Sequence, residues 1–177
     1  MLTVIILVAM LISIVSYMMK YPIKNNRDDI QEHLVKWENQ TSGQSNFKLE
    51  LIQAAHLGES NTYVALYKVD SNAHFAVLEE GFNGHLRIIY SGTNSSSLYY
   101  KGIETSEGQY GIVIGKNINK NIDAMKVELQ NVSFNYIVKV PDDPYFIVIT
   151  KLPEEIKEKT YAGFKFFNKQ NQEISVE

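Results

Sequence analysis

The sequence contains no cysteine and a single tryptophan among its 177 residues. The absence of cysteine excludes disulfide bonds, thiolate nucleophiles, thiolate metal ligands and a lipid-modified N-terminal cysteine. Beyond Lys20 the chain carries sixteen basic and twenty acidic side chains, so it lacks the basic surface that neutralises nucleic-acid phosphates. These absences exclude a disulfide-stabilised scaffold and a thiol-dependent enzyme, and they argue against a nucleic-acid-binding protein.

Charged side chains are also missing from the first nineteen residues, which form one apolar run. A helix of that length spans about 29 Å, close to the roughly 30 Å of a bilayer core. Tyr17, Lys20 and Tyr21 stand where interfacial residues are expected. No basic residue precedes the run and no small-x-small cleavage site follows it, which disfavours a cleaved signal peptide. We therefore predict an uncleaved transmembrane signal anchor at 1–19, with the lipid bilayer as its partner.

Two signals for the orientation of this anchor disagree. Lys20, Lys24 and Arg27 follow the apolar run and no basic residue precedes it, which by the positive-inside rule favours a cytoplasmic C-terminal domain. An asparagine-rich, cysteine-free β domain behind a short anchor is instead typical of the outer face of a Gram-positive membrane. We expect a single-pass protein with an extracytoplasmic domain, and the cytoplasmic orientation is the alternative.

A short amphipathic helix is predicted at 27–38. Ile30, Leu34 and Trp37 fall on one apolar stripe at helical spacing. This stripe either docks on the domain that follows it or binds a partner protein.

From Phe47 onward the apolar residues alternate with polar ones at the period of two that is typical of strands. Turn-forming residues interrupt the pattern at short intervals. Ten strands are predicted: 47–57, 62–70, 74–80, 85–91, 98–103, 109–115, 122–130, 134–140, 145–151 and 162–167. So many short strands predict a mostly β fold, an antiparallel sandwich or a barrel-like domain.

The hairpin around Asn83-Gly84 is specific enough to predict its register. A type I′ turn centred on these two residues pairs Glu80 with Arg87 and Val77 with Tyr90. It also places five apolar side chains on one face: Phe75, Val77, Leu86, Ile88 and Tyr90.

The usual catalytic and metal-binding patterns are absent from the sequence. The four histidines, at positions 33, 56, 74 and 85, have no metal-ligand spacing, and the last two are about 27 Å apart in the predicted hairpin. Gly111–Asn117 is too short and too apolar for a phosphate-binding loop. Asp142-Asp143 between two prolines predicts a turn. We expect no metal, no cofactor and no catalytic residue that sequence alone identifies.

Tyrosines supply the candidate binding residues. Tyr99 and Tyr100 are adjacent in a predicted strand, so their side chains point to opposite faces and one of them meets solvent. With Tyr110 nearby they suggest an aromatic platform for a glycan or a peptide. Ordinary tyrosines of a half-exposed sheet are the alternative.

The anchor, the polar stalk and the β domain together resemble a known group of proteins. With Glu-Glu-Gly-Phe-Asn-Gly at 79–84 and Gly-Lys-Asn at 115–117, the chain resembles small uncharacterised membrane-anchored extracytoplasmic proteins of bacilli and related Gram-positive bacteria. The resemblance spans most of the chain and implies a cell-envelope location. It implies no catalytic residues.

The sequence therefore predicts four segments: an anchor at 1–19, a linker at 20–46 that contains the short helix, a β domain at 47–168 and a polar tail at 169–177. The function that it favours is a non-enzymatic cell-envelope module that binds another protein or a cell-wall component. The alternatives are a cell-wall hydrolase that uses two carboxylates and a cytoplasm-facing regulatory or immunity-type protein. A hydrolase requires at least two convergent acidic groups in a concave pocket.

Overall fold

The computed structural model describes residues 2–43, 46–94, 98–130, 132–156 and 161–175. Two helices, with a two-residue strand between them, precede the other strands, and all the strands pair antiparallel. The mostly β antiparallel fold, led by an apolar helix and a short amphipathic helix, is confirmed.

The bounds of the elements follow the chain in order. The helices are α1 (Leu2–Lys20) and α2 (Arg27–Ser42). The strands are β1 (Ile23–Lys24), β2 (Leu49–His56), β3 (Thr62–Val69), β4 (Asn72–Glu80), β5 (His85–Asn94), β6 (Leu98–Thr105), β7 (Gly108–Lys116), β8 (Ala124–Leu129), β9 (Phe134–Lys139), β10 (Tyr145–Lys151), β11 (Ala162–Phe167) and β12 (Glu173–Ile174).

The strands form three sheets, which we call A, B and C. Sheet A has the order β1-β5-β4-β3-β2, sheet B the order β10-β7-β6, and sheet C the order β12-β11-β8-β9. All ten predicted strands are present. The two-residue strands β1 and β12 were not predicted, and β12 lies in the segment that the sequence presents as a polar tail.

Three apolar layers hold these elements together. Helix α2 packs on one face of sheet A, and sheet B packs on the other. The second face of sheet B packs against sheet C. Sheet B is therefore the central layer and is covered on both sides.

The sequence of β7 explains why sheet B is central. Ile112 and Ile114 point into the layer shared with sheet A, whereas Val113 between them points into the layer shared with sheet C. A strand covered on both faces needs apolar residues at successive positions, and Gly-Ile-Val-Ile-Gly provides them.

Helix α2 begins after Asn26, whose side chain accepts a hydrogen bond from the Asp29 amide at 3.0 Å. It continues through Ser42, four residues beyond the predicted end, and Gly43 ends it in the left-handed conformation with φ +67°. A side-chain cap at the start and a left-handed glycine at the end are usual helix boundaries.

The predicted linker 20–46 is packed against the β domain in most of its described part. Tyr21 and Ile23 are 6% and 2% exposed, and β1 pairs with the start of β5 through Ile23 opposite Leu86. The chain thus passes from α1 into sheet A within three residues, so the domain has no free stalk at this point.

The β4–β5 hairpin corrects the predicted register near its tip. The Gly84 amide donates to the Gly81 carbonyl at 2.9 Å, so the turn is centred on Phe82 and Asn83, and Gly84 follows it with φ +71°. A turn followed by a left-handed glycine makes a three-residue loop rather than the predicted two-residue one. Arg87 consequently pairs with Glu79 instead of Glu80.

A register shift between Val77 and Leu78 restores the predicted pairing further from the tip, where Val77 lies opposite Tyr90. The predicted single apolar face is therefore wrong. Phe75, Val77 and Tyr90 face sheet B, whereas Leu86 and Ile88 face α2. A bulge adds one residue to a strand and so exchanges the faces beyond it.

Helix α1 remains uncovered by the domain along its apolar stretch. Residues 3–20 are long and apolar enough to cross a membrane, and none of that stretch is buried within the protein. A helix that spans a bilayer needs about this length and this apolar composition.

Candidate binding site at the edge of the central sheet

Strand β6 forms one edge of the central sheet. Its inner side pairs with β7 from Leu98 opposite Gly115 to Thr105 opposite Gly108. Within the described ranges, no strand pairs with its outer side between Lys101 and Thr105. A strand directs half of its backbone N–H and C=O groups to each side, so this edge offers hydrogen-bonding groups to an incoming chain.

The edge of β2 in sheet A is closed by contrast. The Arg27 guanidinium of α2 donates to the carbonyls of Leu51 and Ile52, and the Gln31 side chain accepts from the Leu51 amide at 2.9 Å. Side chains of α2 thus occupy the backbone groups that would otherwise recruit another strand. No comparable closure is seen along Lys101–Thr105 in the described part of the chain.

A first groove of about 540 Å³ flanks β6 on the side of sheet A. It is lined by the exposed edge of β5, with Arg87 and Tyr90, and by the β6 residues Lys101, Ile103 and Glu104. Charged and apolar residues both contribute to its walls. The groove therefore fits side chains whose aliphatic part can contact the apolar wall and whose polar end can meet the charged groups.

Two of the charged residues that line the first groove, Arg87 and Glu79, form an ion pair. The Arg87 side chain donates from Nε to the Glu79 carboxylate at 2.6 Å, and the Tyr21 hydroxyl donates to the same carboxylate oxygen at 3.2 Å. The Asn61 side-chain amide donates to the other oxygen at 3.4 Å, so Glu79 is engaged by three donors. Lys101 lies with its ammonium 5.6 Å from the centre of the Tyr90 ring, a cation–π contact.

A second groove of about 350 Å³ flanks β6 on the side of sheet C. Aromatic side chains dominate it: Tyr100 of β6 lies across from Tyr161 and from Phe164 of β11. Tyr161 is 75% exposed, so an aromatic ring stands at the rim. This groove accommodates apolar or aromatic side chains.

Lys101 and Gly102 line both grooves. The backbone between them is therefore the ridge that separates the two grooves, and the ridge is also the open strand edge. Successive side chains of a β-strand point to opposite faces. An extended segment paired with β6 would consequently place alternate side chains in the first and the second groove.

Packed aromatic rings support the ridge from inside. Tyr99 stacks on Phe75 with 5.2 Å between ring centres, and Tyr90 meets Phe75 edge-on at 6.2 Å. Burial raises the pKa of both Tyr90 and Tyr99 above the ordinary phenol value, and the nearby Tyr99 also raises that of Tyr90. Both phenols are therefore neutral at physiological pH and offer hydrogen bonds without charge.

The three tyrosines singled out from the sequence do not share one surface. Tyr99 packs toward sheet A and Tyr100 toward sheet C, so the predicted opposite directions are confirmed. Tyr110 is 4% exposed and lies among the side chains between sheets A and B. The first two contribute to the site, whereas the Tyr110 ring is not open to a ligand from outside.

The apolar stripe of α2 is used within the chain. Ile30 and Leu34 are buried against sheet A, and the Trp37 indole donates to the Ser91 hydroxyl at 2.9 Å. Docking on the domain is therefore the interpretation that the structure supports. These three side chains do not form a free surface for a partner helix.

The histidines are engaged separately and lie on different elements. His56 stacks on Tyr63 at 4.3 Å, and the His74 ring lies 3.4 Å from a carboxylate oxygen of Glu38. Among the residues that the structure describes, no three histidine, aspartate or glutamate side chains come close enough to hold a metal ion.

Sequence reasoning missed the part of β6 on which the site depends. Lys101 and Glu104 on a strand, with Gly102 between them, carry the charge and the weak side-chain packing that are common at sheet edges. This pattern indicates a strand at the edge of a sheet, but it does not show which other strands lie beside that edge. The second groove depends on β11, sixty residues away in the sequence, and only the fold brings the two strands together.

Fold and site together define a class: a β protein of stacked antiparallel sheets with an apolar N-terminal helix and an open edge in its central sheet. No protein-family model matches the chain, and neither a curated protein nor a solved structure matches it.

Proposed function

We propose that this chain is a non-enzymatic, membrane-anchored module that binds another protein by adding one of its extended segments to the edge of β6. The observation that carries the proposal is the ridge at Lys101 and Gly102, which is both an open strand edge and the wall shared by two grooves. In strand addition, backbone hydrogen bonds supply affinity and pockets for alternate side chains supply specificity.

The two grooves indicate the kind of segment that fits. The first groove offers the side chains of Arg87 and Lys101 beside apolar walls, so it suits polar side chains. The second groove offers aromatic rings, so it suits apolar ones. The partner segment is therefore expected to alternate polar and apolar residues and to lack proline at positions that must donate to β6.

Helix α1 supplies the location in this proposal. It spans the cell membrane once and holds the β domain at the outer face, as in the Gram-positive envelope proteins that the sequence resembles. Helix α1 is long and apolar enough to cross a membrane, and none of this stretch is buried within the protein; both features support the anchoring. The basic residues Lys20, Lys24 and Arg27 are the signal that opposes this orientation.

A binding role accounts for the first groove better than hydrolysis does. Two glutamates, Glu79 and Glu104, are among the residues that line the groove. Glu79 already accepts hydrogen bonds from Arg87 and Tyr21, which hold it as a structural ion pair. A carboxylate-based hydrolase needs one group that delivers a proton and another that attacks or activates water. Glu79 is poorly suited to either task.

The test is site-specific photo-crosslinking in the host cell. A photoreactive amino acid replaces Lys101 in one strain and Glu104 in another, and it replaces Ile118 in a control strain. Ile118 is 64% exposed in the turn after β7, six residues along the chain from Ile112, which pairs with Lys101, and further from Gln109, which pairs with Glu104. The proposal predicts a discrete protein adduct from the two β6 positions and none from the control position.

A second variant tests whether the adduct depends on the second groove. Gly102→Trp places a large ring over the second groove; a Cβ at this glycine approaches only the end of the Gln109 side chain, at 3.1 Å. The adduct from position 104 should disappear in this variant. No adduct, equal adducts at all three positions, or an adduct with wall polymer instead of protein would each overturn the proposal.

A further inference from the structure

We propose that the tip of the β4–β5 hairpin is a second membrane contact, in which Phe82 enters the lipid–water interface beside α1. The inference rests on the proposed anchoring by α1 and adds a lipid-binding surface on the β domain. Phe82 is fully exposed, an unusual position for a large apolar ring.

Direct contacts place this ring at the level of the last turns of α1. The Phe82 amide donates to the Tyr17 hydroxyl at 2.7 Å, and the two rings stack with 6.2 Å between their centres. Tyr17 lies three residues before the end of α1, about 4.5 Å along the helix axis. Phe82 therefore reaches the depth at which tyrosine and tryptophan side chains line a membrane interface.

A glycine makes this approach feasible. A Cβ at Gly81 would lie 2.7 Å from the Tyr17 hydroxyl and 2.8 Å from the Tyr21 ring, closer than side chains tolerate. The hairpin thus fits against α1 because residue 81 has no side chain. The contact is a close packing of backbone against two aromatic residues.

Tyr21 follows Tyr17 by four residues, with 5.0 Å between the centres of their rings, and holds the same hairpin. Its hydroxyl donates to the Glu79 carboxylate at 3.2 Å, and the Arg87 guanidinium lies 5.0 Å from the centre of its ring. Because β1 joins sheet A two residues later, the helix end and the hairpin form one packed unit. The tip consequently cannot leave the membrane surface while α1 remains inserted.

The occupant of this surface is the bilayer interface and not a protein partner. Phe82 stacks on Tyr17, and the residues that follow Tyr17 at the helix end, Met18, Met19 and Lys20, are exposed, so its apolar ring extends the surface that α1 presents to lipid in this proposal. An aromatic ring beside a lysine at a helix end is the usual composition of such an interface.

The test uses spin labels on the full chain in lipid vesicles. The absence of native cysteine means that a single introduced cysteine is the only labelling position. Nitroxide labels at Phe82→Cys, Met10→Cys and Ile118→Cys are compared for collisions with oxygen, which concentrates in lipid, and with a water-soluble nickel chelate. The expected result is oxygen-dominated relaxation at positions 10 and 82 and nickel-dominated relaxation at position 118.

The outcomes separate this inference from the anchoring on which it rests. A lipid-exposed label at position 10 with a water-exposed label at position 82 would overturn the hairpin contact alone. Water exposure at both positions would overturn the anchor, and the inference with it. Gly81→Val supplies the second variant: by forcing the hairpin away from Tyr17, it should shift the label at position 82 from oxygen-dominated to nickel-dominated relaxation.

Discussion

The Tyr67 hydroxyl of β3 donates a hydrogen bond at 2.5 Å to the carboxylate of Glu38, near the end of α2. Both residues are buried, and the His74 ring lies 3.4 Å from the same carboxylate oxygen. This polar contact joins helix α2 to the middle of sheet A. It makes the segment that follows α1 part of the folded domain.

Removing the donor of this contact should destabilise the domain. Tyr67→Phe leaves the Glu38 carboxylate buried without its short hydrogen bond, and we expect a loss of about 1–3 kcal/mol in the free energy of unfolding. Urea unfolding followed by the fluorescence of Trp37, which lies at the same interface, measures it. Glu32→Gln, which breaks the exposed ion pair with Lys36 on the same helix, is the control and should change nothing measurable. Equal effects from the two variants would contradict the account.

Alkaline pH should weaken the fold through its buried phenols. Burial raises the pKa of Tyr67 above the ordinary value of 10.0, with the Glu38 carboxylate adding to the effect, and burial likewise raises that of Tyr136. Below pH 10 the phenols are neutral in both folded and unfolded chains, so the free energy of unfolding is unaffected. Above it only the unfolded chain ionises, and each such phenol removes about 1.4 kcal/mol per pH unit.

Urea midpoints measured between pH 8 and 11, together with phenolate absorbance, check this dependence. Phenolate from the buried tyrosines should appear only as the chain unfolds. If all eleven tyrosines titrated near their ordinary pKa while the chain stayed folded, the buried arrangement would be wrong.

The closed edge of β2 should open when Arg27 is removed. Arg27→Ala frees the carbonyls of Leu51 and Ile52, and an open edge pairs with other strands. We expect the detergent-solubilised chain to self-associate, as seen by light scattering after size exclusion. Lys48→Ala has the same charge change at an exposed position beside β2 and should leave the chain in its original state. Self-association of both variants would point to charge and not to the edge.

The conformation of Gly84 provides a backbone test of the hairpin. A Cβ at this position has open space, with Glu80 the nearest side chain at 3.9 Å, so a substitution acts through φ alone. Gly84→Ala should destabilise the domain by about 1 kcal/mol, because L-residues with side chains disfavour the left-handed region. Gly84→Asn should cost less, because asparagine visits that region more readily. Thermal unfolding of the two variants gives the comparison, and equal losses would argue against the observed turn.

The strands were predictable because their signal is local. Alternation of apolar and polar residues, interrupted by turn residues, located all ten longer strands, and the charge-free run located α1. The sequence around Asn83-Gly84 also identified a hairpin. Its register near the tip was not predictable, since the position of Gly84 in the turn and the bulge beyond Val77 depend on packing against α1 and sheet B.

The candidate site was largely beyond sequence reasoning. Tyr99 and Tyr100 were identified as aromatic residues of one strand with opposite directions. That β6 ends a sheet, and that β5 and β11 lie on either side of it, follows from pairing between residues far apart in the chain. Tyr110 illustrates the same limit, because its burial depends on sheet A and not on its neighbours in sequence.

We propose that the β domain lies outside the cell on an uncleaved anchor, and the accessibility of a C-terminal tag to protease decides whether it does. Cells that express the tagged full chain are stripped of their walls and treated with protease while the membrane is intact. The account predicts that the tag is removed from the intact cells and that the chain remains in the membrane fraction. A tag that is protected until the cells are lysed would contradict it and would show that Lys20, Lys24 and Arg27 set the orientation.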